Sequence, residues 1–90
     1  MRVLTTPRFD RSVKKLQAEE IRALDEAVKS IISHPEVGEL KKGDLAGLRV
    51  YKFRCNREQM LLAYAANRME KVIILLAYGT HENFYRDLKQ

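Results

Sequence analysis

Hydrophobic positions change period along this chain. From Phe9 to Ile32 they recur at helical spacing. Phe9, Val13 and Leu16 fall on one face of a first helix, and Ile21, Leu24, Val28, Ile31 and Ile32 form the stripe of a second one packed on something flat. Thr6-Pro7 supplies an N-cap followed by proline at the first helical position, so helix one runs from there to about Leu16. Helix two runs from Glu19 to about Ser33. Two carboxylates favour its positive end, and His34-Pro35 stops it. His34 therefore reads as a helix-end residue. Two amphipathic helices joined by two or three residues make an antiparallel hairpin.

After Gly47 the pattern turns to strands. Leu48–Cys55, Met60–Ala65 and Lys71–Tyr78 are β-prone, and the links between them have hairpin length, which predicts an antiparallel meander. The last run, Val72 to Tyr78, is apolar throughout and reads as a strand buried on both faces. Residues 35–47 hold Gly38, Gly43 and Gly47 without periodicity and read as a connecting loop. Val3 and Leu4 open the chain as a short strand beside the buried one. The expectation is an α+β domain of order β-α-α-β-β-β with a short terminal helix. Its antiparallel sheet has four strands, with both helices on one face and the other face open.

Ninety residues make a single domain over 1–90, and no apolar run reaches the roughly 18 residues that span a bilayer. The start, Met1 to Pro7, has no apolar stretch of a secretory signal, so the chain is expected in the cytoplasm without membrane partners. Cys55 has no second cysteine to pair with and reads as a small packed residue. With His34 and His81 far apart, neither a zinc site nor another cofactor is expected.

Charge divides the chain. Residues 1–40 hold 7 Lys/Arg and 7 Asp/Glu, whereas residues 41–90 hold 10 and 5, so the whole excess of positive charge lies in the second half. That imbalance suits a polyanionic partner, nucleic acid or an acidic protein segment, although it also serves solubility. On Leu48–Cys55, alternation puts Leu48, Val50, Lys52 and Arg54 on one side and Arg49, Tyr51, Phe53 and Cys55 on the other. Cations interleaved with aromatics match what stacking on bases and neutralising phosphates require. On helix one, Arg8, Arg11, Lys14 and Lys15 read as a solvated face.

The ending, Gly79-Thr80-His81-Glu82-Asn83-Phe84-Tyr85, carries the sharpest chemistry. Gly79 breaks the strand, Thr80 caps a terminal helix, and His81 stands on its first turn with Tyr85 one turn further on. A titratable imidazole at the end of a fixed strand suits proton transfer, and an ordinary exposed histidine would look the same from sequence. The functional reading requires that His81 and the cationic strand meet in one open hollow.

The element order, the opening Pro7-Arg8-Phe9-Asp10-Arg11-Ser12-Val13-Lys14-Lys15-Leu16, the segment Leu40 to Arg49 and the Gly-Thr-His ending together resemble the RelE/ParE superfamily of bacterial toxins. The resemblance covers nearly the whole chain, and the ending is similar to the YafQ branch, whose members cut messenger RNA on the ribosome. It implies a toxin neutralised by a cognate antitoxin, a metal-free endoribonuclease of message, with His81 as acid/base and Tyr85 orienting the nucleotide. Arg49 and Lys52 or Arg54 are the implied cationic catalytic partners, and Tyr51, Arg54, Arg57, Lys41 and Lys42 are the expected RNA contacts. The RelE branch carries an arginine in the strand matching Met60 to Tyr64. None stands here, so Arg54 or Arg57 would substitute. The ParE branch, which inhibits DNA gyrase without cutting RNA, and a plain RNA-binding module are the alternatives.

Overall fold

The computed structural model of the chain describes residues 1–43 and 46–88, the side chains of 85–88 excepted. Its elements are β1 (Arg2–Thr5), α1 (Pro7–Val13), α2 (Ala18–Ser33), β2 (Glu39–Leu40), β3 (Arg49–Cys55), β4 (Glu58–Asn67), β5 (Val72–Thr80) and α3 (His81–Leu88). The α+β class and the element order match the expectation. The sheet differs from it in two ways. It has five strands in the order β1-β5-β4-β3-β2, and β1 lies parallel to β5, so the sheet is mixed rather than antiparallel and four-stranded. The added strand, β2, comes from the glycine-rich connection. Glu39 pairs with Val50 and Leu40 with Arg49, and the Lys41 N–H donates to the Leu48 carbonyl at 2.8 Å. A two-residue strand has no period to read; it forms because the edge of β3 offers it hydrogen bonds.

Local chemistry fixes the helix starts. Thr6 Oγ1 accepts from the Phe9 N–H at 3.2 Å and donates to the Leu76 carbonyl at 2.9 Å, so one hydroxyl caps α1 and ties it to β5. Helix α1 ends at Val13, short of Leu16. The chain tightens there through Lys14 N–H to Arg11 O and Leu16 N–H to Val13 O, and Leu16 still packs on the core. In α2 the buried stripe is Leu24, Ala27 and Ile31, while Ile21 and Ile32 stay exposed because 100° per residue carries them off the buried face.

Both helices cover one face of the sheet. Phe9, Leu24, Ala27 and Ile31 meet Met60, Leu62, Tyr64, Ile73, Leu75 and Tyr78 in the larger core cluster. The opposite face, expected to be open, is partly covered by α3. Phe84, 3% exposed, seats on Val50, Leu61, Ala63 and Ala77. Two residues make the β3–β4 turn, Asn56 (φ 52°) and Arg57 (φ 69°), the left-handed pair that matches strand twist in a tight hairpin. A register shift between Ala63 and Tyr64 leaves Leu76 as the extra residue of β5.

One clamp holds the α2–β2 connection. Tyr64 is fully buried, yet its hydroxyl donates to the Pro35 carbonyl at 2.6 Å and accepts from the Gly38 N–H at 2.9 Å. A Cβ at Gly38 would lie 2.7 Å from Tyr64 Cε1 and 2.8 Å from its hydroxyl. Gly38→Ala is therefore expected to destabilise the protein by about 1–3 kcal/mol through overpacking, measured as a lower denaturant midpoint with unchanged m-value.

Tyr78 is the opposite case. It is 6% exposed, and its hydroxyl has no hydrogen-bond partner among the described residues. Burial, with Glu20, Cys55 and Glu58 nearby, pushes its pKa up to about 12. From about pH 10 to 12 the unfolded chain releases this proton while the folded one keeps it, so stability falls as pH rises by up to about 1.4 kcal/mol per unit. Tyr78→Phe should remove that part of the alkaline loss and, at neutral pH, leave stability equal or raise it by about 1 kcal/mol. Urea melts at pH 8 and pH 11 test both statements.

Candidate functional site

Cross-strand pairs lie on the same side of a sheet, so the ladders assign each side chain a face. Val50, Ala63 and Ala77 form one row, the one that seats Phe84. The next row on that face is Lys52, Leu61 and Gly79, which sets the Lys52 Cα roughly 10 Å from Gly79, two strand spacings away. One row further come Arg54 and Gln59; β5 has ended by then at Thr80, and the chain leaves the ladder at His81. Lys52, Arg54 and His81 thus belong to the α3 side at the β3–β4 hairpin end of the sheet. All three are exposed.

The turn from strand to helix is built as its sequence suggests. The Asn83 N–H reaches Thr80 Oγ1 at 3.4 Å, a long cap, and a Cβ at Gly79 would lie 3.8 Å from the Phe84 nitrogen, so α3 folds directly back over the end of β5. Tyr85 follows His81 by four residues in α3, and its side chain lies outside the described residues.

The other strand residues expected at this site are not brought to it. Arg49 pairs with Tyr64 on the helix-covered face, where its Nη1 donates to the carbonyls of Gly38 at 2.8 Å and Glu36 at 3.2 Å. Tyr51 is on that face too. Its ring stacks 6.0 Å from Phe53, which stacks 6.1 Å from Tyr78, a file of aromatics beside α2. The alternation within β3 is the expected one, and the sheet separates the two sets, so Lys52 and Arg54 share a ladder face that neither Arg49 nor Tyr51 occupies; Arg54 also borders a hollow beside α2 with Tyr51 and Phe53. Arg57 stands exposed in the hairpin turn, and its carbonyl accepts from Arg54 Nη1 at 3.3 Å. Lys41 and Lys42 are at the far end. Lys41 is bonded to Leu48, six residues from Arg54 and so roughly 20 Å along the strand, and its Nζ is 3.3 Å from Glu39 Oε1.

Arg8, expected on the solvated side of α1, is half-buried and borders an open hollow of about 300 Å³ with Thr6, Leu48 and Leu76, on the α3 side of the sheet. Elsewhere, burial pushes the Cys55 thiol up, helped by Glu20, Glu19 and Glu58, which keeps it a protonated packing residue. Glu36 is held below the usual carboxylate range by its own backbone N–H and by Arg68, 2.6 Å away. Among the described residues, no three His, Cys, Asp or Glu side chains gather where they would hold a metal ion.

A five-stranded sheet with a helical hairpin on one face and a terminal helix on the other is the architecture of the RelE-like class of small toxin folds. Residues 3–89 match the family model described as the ParE-like toxin of type II bacterial toxin-antitoxin systems, and the chain belongs to that family, within the RelE/ParE superfamily. Similar solved structures carry the same architecture. The toxin-antitoxin complex RelBE2 from Mycobacterium tuberculosis superposes with a TM-score of 0.72 at 22% identity, over 89% of this chain and 96% of that one. The intact Escherichia coli RelBE complex gives 0.72 at 15% identity over 88% and 94%. The isolated E. coli RelE toxin gives 0.67 at 15% identity over 98% and 95%. No curated protein sequence matches.

Proposed function

We propose that this toxin is a metal-free endoribonuclease that cuts messenger RNA on the ribosome and so arrests translation. The observation that supports this reading is that Lys52, Arg54 and the start of α3 at His81 lie towards the same end of the sheet and are exposed. RNA cleavage without a metal has three requirements: a base for a 2′-hydroxyl, cations for the phosphate, and an acid for the leaving oxygen. In the proposed step the 2′-oxygen bonds to phosphorus as a base takes its proton. The bond from phosphorus to the 5′-oxygen breaks, and His81 gives that oxygen a proton, leaving a 2′,3′-cyclic phosphate and a 5′-hydroxyl. Lys52 and Arg54 neutralise the phosphate, with Arg57 at the rim, and Tyr85 orients the sugar and base. The base is one of Glu82, Lys52 and Tyr85. Arg49 and Tyr51 take no part in this step; they brace the opposite face.

The partner that restrains it is a cognate antitoxin, as the RelBE complexes hold theirs. A second reading, inhibition of DNA gyrase, is favoured by the ParE-like family match. Expression from a tightly controlled promoter, with message ends and plasmid supercoiling read in the same culture, separates the two. New message ends with unchanged supercoiling support the ribonuclease; relaxed plasmid with intact messages overturns it.

A further inference from the structure

β1 closes the sheet on the side away from β3, and no described strand lies beyond it. Its ladder to β5 fixes which of its backbone groups are used. The Arg2 N–H donates to the Lys71 carbonyl at 2.9 Å and the Thr6 N–H to the Leu75 carbonyl at 3.2 Å, so Arg2, Leu4 and Thr6 turn their backbone groups towards β5. Successive residues of a strand alternate, which leaves the N–H and C=O of Val3 and Thr5 pointing outward, where no described strand meets them.

Sheet edges are commonly protected by a charge, a proline or a bulge. Between Val3 and Thr5 there is none of these, and the register with β5 is unbroken. All four residues of β1 are exposed. The cross-strand pairs put Leu4 beside Ile74 and Ala65 on the α3 side of the sheet, outside the patch on which Phe84 sits. Leu4 is 43% exposed, and half-buried Ile74 is joined to neither core cluster among the described residues. An apolar row therefore runs to the margin of the sheet and stops in solvent.

We propose that two copies of this chain pair antiparallel through β1, about a two-fold axis that sets Leu4 against Leu4 of the second copy. In that register Val3 and Thr5 of the second copy exchange both of their outward hydrogen bonds, and Thr5 and Val3 of the second copy do the same. Leu4 takes the non-hydrogen-bonded position, where facing side chains come closest, and the two apolar rows join across the axis as Ile74, Leu4, Leu4 and Ile74. Arg2 then lies opposite Thr6, so no like charges face each other, whereas a shift of two residues would set Leu4 against Arg2. What selects a second copy is this self-complementarity of an uncharged edge. The other margin lacks it, because pairing β3 with itself would bring Lys52 and Arg54 of both copies together. The dimer joins two five-stranded sheets into one, with both helical hairpins on one side and both α3 helices on the other. It does not depend on the ribonuclease reading.

Sedimentation velocity on the full chain, from micromolar to millimolar concentration, should show a reversible monomer–dimer equilibrium. Amide exchange should show Val3 and Thr5 protected only where the dimer forms, and Leu4, bonded to β5, protected throughout. Leu4→Lys and Leu4→Glu each place like charges across the axis and should weaken dimerisation at least about tenfold, while an equimolar mixture of the two should pair again. In a Cys55→Ala background, Leu4→Cys should form an intermolecular disulfide, because the facing Cα atoms would lie about 4.5 Å apart, within disulfide reach. Val3→Cys, which faces Thr5, should not. A protein that stays monomeric to millimolar concentration overturns the proposal. So does a dimer that leaves the Val3 and Thr5 amides unprotected, one that Leu4→Lys does not weaken, or one linked by Val3→Cys and not by Leu4→Cys. Charge variants that stay apart when mixed overturn the two-fold register. A chain that dimerises in this way yet cuts no RNA leaves this inference standing while the ribonuclease reading falls.

Discussion

Replacing His81 with glutamine is expected, under the proposed ribonuclease function, to slow cleavage of ribosome-bound message by about a hundred- to ten-thousand-fold, the range that a positioned general acid contributes. The side chain is exposed on the first turn of α3 and belongs to neither core cluster, so its replacement should leave the protein folded, with a melting temperature within a few degrees of wild type. Glutamine keeps hydrogen-bonding capacity but cannot deliver a proton to the leaving 5′-oxygen. The measurement is single-turnover cleavage mapped by message ends, with thermal melting as the control. Near wild-type cleavage by a folded His81→Gln protein would remove the acid from the scheme. The same variant with undiminished growth arrest and altered plasmid supercoiling would move the function to gyrase.

Phe84→Ala should act on the same site from beneath. Phe84 is the buried anchor of α3, seated on Val50, Leu61, Ala63 and Ala77, and truncating a buried phenylalanine costs about 3–5 kcal/mol. An eight-residue helix has little stability of its own in water, so the loss is expected first as release of α3. The larger core, in which Phe84 has no part, should persist. Amide exchange of residues 81–88 should then speed up far more than that of β4 and β5, and cleavage should fall although His81 is untouched. Global unfolding with uniform loss of protection would mean that α3 and the sheet form one cooperative unit.

Much of this arrangement was legible in the residues because local rules dominate where it was. Thr6-Pro7 states a helix start by capping chemistry alone, and within the expected stripe of α2 Leu24, Val28 and Ile31 do face the core, whereas Ile21 and Ile32 do not. The split of β3 into Lys52 and Arg54 against Arg49, Tyr51 and Phe53 follows from its two-residue period, which its unbroken register with β4 preserves. What failed were statements about distance. Arg49 and Lys52 are three residues apart, and sequence reasoning joined them at one site although their odd spacing puts a sheet between them.

The covalent order of side chains by itself determined the elements, their buried sides and the positive second half, since these depend on propensity, periodicity and charge count. Only the tertiary structure decided that β1 runs parallel beside β5, that the connection contributes β2, that α3 folds over the face expected to be bare, and that Lys52 and Arg54 but not Arg49 share it with His81. Those outcomes turn on pairing between segments far apart along the chain. There the free energy comes from backbone groups finding partners and Phe84 finding a seat, and neither leaves a periodic mark on the sequence.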